Sequence, residues 1–156
     1  MSVENARNHL FKYDMGDRII EFKESSATVE LAAQAIGCEE AMIAKTISFY
    51  VNEEAILIVA AGDTKIDNPK FKAYFGCKAK MIPGAEVEAA VGHAPGGVCP
   101  FGVKDGVRVY LDDSLKRFEV VYPAAGSGNS AVKMKLEELE RASESAAWID
   151  VCKYKE

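Results

Sequence analysis

An eleven-residue stretch rich in glycine and proline restricts what this chain can fold into. Residues 92–102 read GHAPGGVCPFG, a composition that excludes a helix interior or a central strand. Glycine lets another molecule approach the main chain closely, and proline fixes the chain beside it. A stiff loop with free N–H groups suits a carbonyl oxygen, an oxyanion or a phosphate. The alternative is a plain connector, although Val98 and Phe101 make the loop more apolar than solvated connectors usually are.

The length and composition predict a single globular domain over residues 1–156. Hydrophobic residues make up 49% of the chain and charged residues 28%, as in ordinary soluble proteins. The longest apolar run, residues 55–61, is too short to cross a bilayer. The first residues show no basic segment followed by an apolar one, which is the pattern of an export signal. We therefore expect a cytoplasmic protein with no membrane partner.

The cysteines and histidines do not predict a metal site. Cys38, Cys77, Cys99 and Cys152 form no C-x-x-C pair, and the only histidines are His9 and His93. A structural zinc site needs closely spaced ligands. We expect free thiols, no metal and no cofactor.

Hydrophobic periodicity and turn residues predict a mixed α/β fold. A β-hairpin of residues 45–51 and 55–61 is expected at the centre of a sheet, because its second strand is apolar throughout and hence buried on both faces. Other strands are predicted at residues 18–23, 79–82, 107–111, 118–122, 131–135 and 147–152. Helices are predicted at residues 5–13, from a cap within Ser25, Ser26 and Thr28 to Ile36, from Asp67 to Gly76, and at 85–91, 113–116 and 136–143. The pattern favours a mixed sheet curled into a barrel and flanked by helices.

Charge is unevenly distributed along the chain. The net charge of −5 argues against extensive coating of a nucleic acid such as DNA. One segment is nevertheless basic, and a local basic face can meet a phosphate backbone, although such a run is more often a solvated helix face. Its lysines are Lys65, Lys70, Lys72, Lys78 and Lys80.

Lys45 is the notable charged residue of the central hairpin. It lies in an otherwise apolar stretch between Ala44 and Thr46. Such a lysine either extends its ammonium to water or presents a fixed cation to a pocket, where it would hold an anionic ligand group.

Two further groups of residues are candidates for catalysis or binding. Cys99 and His93 are residue types that can serve as a nucleophile and its base, but no third group is evident to orient the histidine. The simpler interpretation is that Cys99 is a small thiol that lines a pocket. Residues 126–130 form a second glycine-rich loop with polar side chains, which is either a binding loop or a hairpin connection. Neither glycine-rich loop is a P-loop or a dinucleotide fingerprint, and no G-x-S-x-G motif is present.

Four ordered segments resemble the YbaK/prolyl-tRNA-synthetase-associated domain family. They are residues 28–37 (TVELAAQAIG), 44–47 (AKTI), 95–102 (PGGVCPFG) and 125–130 (AGSGNS). The similarity extends from about residue 20 to 152, and it implies hydrolysis of wrongly charged aminoacyl-tRNA on a curled mixed sheet.

The resemblance also implies roles for individual residues. Lys45 matches the lysine that anchors the terminal nucleotide of the tRNA, and Gly96, Gly97 and Val98 match the loop that positions the aminoacyl carbonyl. Many relatives have Ser or Gly in place of Cys99, so the thiol is expected to change the size of the amino-acid pocket. The substrate-binding residues implied are Thr46, Cys99, Pro100, Gly126, Ser127, Gly128, Asn129 and Ser130.

The expected partners are therefore the acceptor end of an aminoacyl-tRNA and an aminoacyl-tRNA synthetase. The basic lysines listed above are the expected tRNA contacts. Cys- or Ala-tRNA(Pro) is the substrate that the resemblance implies. Two alternatives remain open at this point: a non-catalytic module that binds tRNA or a protein partner, and a thiol hydrolase that acts through Cys99.

Overall fold

The computed structural model describes residues 2–23 and 28–155, which contain five α-helices and ten β-strands. The helices are α1 (Ser2–Phe11), α2 (Val29–Ile36), α3 (Asn68–Phe75), α4 (Gly84–Val91) and α5 (Leu136–Ala142). The strands are β1 (Ile20–Glu21), β2 (Ile43–Val51), β3 (Glu54–Ala61), β4 (Thr64–Ile66), β5 (Arg108–Asp112), β6 (Val120–Pro123), β7 (Ser130–Ala131), β8 (Met134–Lys135), β9 (Ala147–Ile149) and β10 (Cys152–Tyr154).

A curled six-stranded mixed sheet forms the centre of the fold, in the order β8-β6-β2-β3-β5-β9. The hairpin β2–β3 occupies its middle, as the sequence predicted, and pairs from Ala44 with Ala61 to Val51 with Glu54. Strands β6 and β5 flank this hairpin in parallel. Two small antiparallel pairs, β1–β7 and β4–β10, lie outside the large sheet.

Strand β3 is buried on both faces because its apolar side chains contribute to two different hydrophobic cores. Leu57, Val59 and Ala61 pack into a core with residues of α1, α4 and α5. Ile56, Ile58 and Ala60 face the opposite side, where they join a core that includes Phe71 of α3. The continuous apolar run predicted this two-sided burial.

The predicted helix signals in α2 and α3 are confirmed. The hydroxyl of Thr28 accepts a hydrogen bond from the amide of Leu31, and Gly37 ends α2 in the left-handed region at φ = 83°. The carboxylate of Asp67 caps α3, which ends at Gly76. Ser25 and Ser26, the other cap residues predicted for α2, lie outside the described residues.

Three strand predictions differ from the structure. The predicted strand at residues 79–82 is wrong, because only a single bridge joins Met81 to Phe49. The predicted strands at 131–135 and 147–152 each divide into two short strands that pair with different partners. Each half then belongs to a different sheet, so one continuous strand cannot form.

Strand β4, which the sequence pattern did not predict, pairs with the last described strand, β10. No helix in the described part of the chain is both long and apolar enough to cross a membrane.

Candidate active site

A cavity of about 230 Å³ opens beside the start of strand β2. Five predicted site residues line it: Lys45, Thr46, Gly96, Val98 and Ser130. The structure thus brings the lysine of the central hairpin together with both glycine-rich loops. The cavity is smaller than typical drug-sized pockets of about 300–1,000 Å³, so it suits a small group.

Lys45 is half-buried at this cavity. Its ammonium donates a hydrogen bond to the carbonyl oxygen of Thr64, at the start of strand β4. Burial lowers the pKa of the Lys45 ammonium, and the positive charge of Lys155 lowers that pKa further. Asp63 and Cys152 act in the opposite direction. The result is a partly desolvated cation, whose attraction for an anionic group is stronger than in water.

The two glycine-rich loops pack main chain against main chain. A methyl group placed on Gly97 would lie 2.7 Å from the Cα of Ser127 and 2.8 Å from the carbonyl carbon of Gly126. Only glycine fits this close approach. Gly97 therefore joins the loops and does not line the cavity, unlike its neighbours Gly96 and Val98.

The amides of the first loop are not equally available. The N–H of Gly97 donates to the carbonyl oxygen of Ala94 at 3.0 Å. No described residue accepts a hydrogen bond from the N–H of Gly96 or Val98. Both residues line the cavity, so their amides are candidates to donate to a ligand there.

The polar groups of the second loop bond mainly to one another. The buried hydroxyl of Ser130 accepts hydrogen bonds from the amides of Ala125 and Ser127, each at 3.3 Å. The hydroxyl of Ser127 lies 2.8 Å from the Asn129 side-chain oxygen, and the Asn129 side-chain amide donates to the Phe22 carbonyl. This network fixes the shape of the loop. Gly126, Ser127, Gly128 and Asn129 do not line the cavity; their predicted contact with substrate stays a prediction.

The hydroxyl of Thr46 is buried and has no hydrogen-bond partner among the described residues. Thr46 lines the cavity next to Lys45. A buried hydroxyl without a partner costs about 1–3 kcal/mol, so a ligand that bonded to it would recover free energy.

Cys99 and His93 meet, but they do so inside the core. The Cys99 sulfur lies 3.5 Å from Nε2 of His93, and both side chains have 0% of their surface exposed. Burial raises the pKa of the Cys99 thiol to about 12 and lowers the pKa of His93. The thiol is therefore protonated at neutral pH and remote from solvent, which does not suit a nucleophile.

Cys99 and Pro100, which the resemblance assigns to substrate binding, are both buried away from the cavity, and their contact with substrate stays a prediction. Cys99 packs among the buried core residues, and Pro100 is also buried; neither lines the cavity. Val98 lines the cavity, whereas its neighbour Cys99 packs into the core.

The lysines predicted to contact tRNA are dispersed over the surface. Lys65 lies on β4, next to Thr64. Lys70 is engaged by the Asp150 carboxylate at 3.0 Å and the Cys152 carbonyl at 3.1 Å. Lys72 and Lys78 border a surface groove, and Lys78 and Lys80 border another beside Tyr50.

Sequence reasoning missed one whole wall of the cavity. Helix α2 and the segment from β6 to β7 contribute mostly small or apolar side chains. In the sequence these positions look like an ordinary amphipathic helix and ordinary strands; the only signals were that residues 28–37 and Ala44 belong to segments that match the family. The missed residues are Thr28, Val29, Ala32, Ile43, Ala44, Tyr122, Ala124 and Ala131.

In the described ranges no cluster of three or more His, Cys, Asp or Glu side chains is arranged to hold a metal ion. The polar side chains that line the cavity belong to Lys45, Thr28, Thr46, Tyr122 and Ser130, and Gly96 and Val98 contribute main chain.

The sequence model of the aminoacyl-tRNA editing domain matches residues 23–142, more than half of the chain. The chain belongs to the aminoacyl-tRNA editing domain family. This domain is 50% identical to the uncharacterized protein YwhH of Bacillus subtilis over 154 residues, which cover 98% of each chain. It is 25% identical to EbsC of Enterococcus faecalis, by name a candidate Cys-tRNA(Pro)/Cys-tRNA(Cys) deacylase, over 72% of this chain and 70% of EbsC.

The fold of the editing domain is also that of a solved structure. A crystal structure described as a candidate trans-editing enzyme for prolyl-tRNA synthetase superimposes with a TM-score of 0.88 at 26% identity, covering 97% of both chains. The family assignment establishes aminoacyl-tRNA editing, a deacylase activity, at the level of the family.

Proposed function

We propose that this protein is a trans-editing hydrolase that deacylates mischarged aminoacyl-tRNA(Pro), with Cys or Ala as the amino acid removed. The observation that carries the proposal is a single cavity lined by Lys45, Gly96 and Val98, in which the amides of Gly96 and Val98 have no acceptor among the described residues. A cation and N–H donors are what an anionic nucleotide and an ester carbonyl require.

The reaction is the hydrolysis of an ester that is already activated. Lys45 binds a phosphate or ribose group at the 3′ end of the tRNA, and the amides of Gly96 and Val98 donate to the ester carbonyl oxygen. A water molecule attacks the carbonyl carbon, and the bond from that carbon to the ribose oxygen then breaks. The proton that the attacking water loses is taken up by the ribose oxygen, so the products are a free amino acid and uncharged tRNA. Positioning and stabilisation of the oxyanion are sufficient chemistry for such an ester.

The shape of the cavity supports a small amino acid. Its wall includes the small residues Ala32, Ala44, Ala124 and Ala131, and its volume is about 230 Å³. A synthetase cannot cleanly reject amino acids smaller than its own substrate, and a second hydrolytic site corrects the error. The names of EbsC and of the solved trans-editing structure support tRNA(Pro) as the tRNA.

Deacylation of a panel of charged tRNAs tests this function. The panel is Cys-, Ala-, Ser- and Pro-tRNA(Pro), together with Ala-tRNA(Ala) as a control for the identity of the tRNA. We expect rapid loss of Cys or Ala from tRNA(Pro) and slow loss of Pro. Binding of tRNA without turnover of any species would contradict the proposal and favour a non-catalytic tRNA-binding module.

A further inference from the structure

The two-stranded ribbon β4–β10 carries an exposed group of like charges. Lys65 of β4 lies directly opposite Lys153 of β10 in the antiparallel register. Lys155 follows at the end of the ribbon, where its amide donates to the carbonyl oxygen of Asp63 at 2.9 Å. All three side chains are exposed. We call Lys65, Lys153 and Lys155 the lysine ribbon.

Among the described residues, no acid neutralises the positive charge of the lysine ribbon by an ion pair. Like charges directly opposite each other on paired strands destabilise the pairing. Within the described ranges no carboxylate forms an ion pair with any of the three lysines. Two of the described acids near the ribbon are engaged elsewhere: Asp63 binds Arg117 through two contacts of 2.6 and 2.9 Å, and Asp150 binds Lys70.

The lysine ribbon borders the candidate active site. The ammonium of Lys45 donates to the carbonyl of Thr64, the residue immediately before Lys65. The positive charge of Lys155 lowers the pKa of the Lys45 ammonium. Lys45, which lines the cavity, thus connects the site for the end of a polyanion with these three lysines.

The lysines at positions 78 and 80 occupy a different place. The carbonyl of Lys80 accepts a hydrogen bond from the amide of Tyr50, which lies five residues after Lys45 on β2. At about 3.3 Å per residue, this point is about 17 Å along the strand from Lys45. The lysines of the basic segment recognised in the sequence therefore do not form one surface in the structure. Of these lysines, only Lys65 belongs to the lysine ribbon.

We propose that the lysine ribbon binds the phosphate backbone of the tRNA acceptor stem while the aminoacyl ester occupies the cavity. The proposal rests on the proposed function, because it takes tRNA as the partner. It explains how a protein of net charge −5 holds a polyanion: the favourable contacts are concentrated at one edge. Contacts with phosphate groups also offset the repulsion between the exposed side chains of Lys65 and Lys153.

Binding of uncharged tRNA(Pro) over a series of salt concentrations tests the proposal. The test variant is the triple substitution Lys65→Gln, Lys153→Gln and Lys155→Gln. The control is Lys72→Gln, Lys78→Gln and Lys80→Gln, which changes the net charge equally. Each phosphate contact contributes about 0.7–0.9 to the slope of log K against log salt. We expect the ribbon variant to bind at least about tenfold more weakly, with a slope smaller by about 2, and the control to bind like wild type.

A second pair of substrates separates this proposal from the proposed function. The ribbon variant should lose kcat/KM on charged tRNA, mainly through KM, and should hydrolyse a 3′-O-alanyl adenosine ester, which has no phosphate, at the wild-type rate. If the ribbon variant deacylates charged tRNA with the kcat and KM of the wild type, the inference is overturned and the proposed function stands. Absence of turnover would overturn the proposed function, while the salt series still decides the inference.

Three binding results would overturn the inference: equal weakening in both triple variants, weakening in the control alone, or no salt-dependent binding of tRNA by the wild type. Thermal unfolding supplies a structural check. Removing the repulsion between Lys65 and Lys153 should leave Tm unchanged or raise it, whereas a ribbon with a purely structural role would lose stability.

Discussion

A methyl group on Gly97 would lie 2.7 Å from the Cα of Ser127, so the two glycine-rich loops meet main chain to main chain. The first loop contributes Gly96 and Val98 to the cavity, and the second contributes Ser130. Their relative position therefore depends on one residue that does not itself line the cavity.

Gly97→Ala should separate the loops, because the atoms that the new methyl meets are main-chain atoms that cannot rotate away. We expect a loss of stability of about 1–3 kcal/mol and a larger fractional loss of deacylation. Denaturant unfolding and turnover measure these two effects. Gly84→Ala is the matched control, since a methyl there meets nothing within 4 Å; equal effects at both positions would contradict the packing argument.

Thr46→Val should separate stability from activity. It removes a buried hydroxyl that has no partner among the described residues and keeps the shape of the side chain. We expect the free energy of unfolding to stay the same or rise by up to about 2 kcal/mol, while deacylation falls about tenfold. Thr46→Ser, which keeps the hydroxyl, should retain most of the activity. Full activity in Thr46→Val would show that the hydroxyl does not bind substrate.

Cys99→Ala should leave deacylation within a few-fold of wild type, because the thiol is buried, protonated at neutral pH and absent from the cavity wall. We expect its main effect to be a loss of stability of about 1 kcal/mol from the missing sulfur. Iodoacetamide should label the partly exposed Cys77 in the native protein and leave both Cys99 and activity intact. Inactivation that follows the labelling of Cys99 would support the thiol hydrolase instead.

Much of the fold could be predicted from local patterns, and the details of the site could not. The β2–β3 hairpin and the caps at Thr28 and Asp67 depend on neighbouring residues, and all were predicted. Lys45 was singled out because a charge within an apolar strand is visible in the sequence. The pairing of β4 with β10 joins residues about ninety positions apart, and no local pattern specifies it.

The direction of side chains in the glycine-rich loop was the other feature that the sequence did not reveal. Cys99 and Val98 are adjacent, yet one enters the core and the other lines the cavity. Which residue turns inward is decided by backbone angles at glycines, for example φ = 89° at Gly96 and 69° at Gly102, and by packing against the second loop. Composition alone does not specify these angles.

The lowered pKa of Lys45 should produce two pH effects of opposite sign. If the ammonium binds substrate, deacylation, corrected for uncatalysed hydrolysis, should fall as pH rises through the pKa of Lys45, below the ordinary lysine value of 10.5. Stability should change the other way. Between the lowered pKa and 10.5 the unfolded chain binds more protons than the folded one, so the Lys45 contribution to stability rises with pH. The rise in stability should be absent in Lys45→Met, and identical profiles of stability against pH for the two proteins would contradict the lowered pKa of Lys45.

The most direct test of the account is the turnover of a mischarged tRNA(Pro) by Lys45→Met. Lys12→Met is the control: it removes a lysine from an exposed position, where the ion pair to Glu144 is 3.8 Å long. With circular dichroism and Tm showing that both variants fold, we predict that deacylation of Cys- or Ala-tRNA(Pro) is lost in Lys45→Met and unchanged in Lys12→Met. Wild-type turnover in a folded Lys45→Met protein would contradict the claim that this cavity is the editing site.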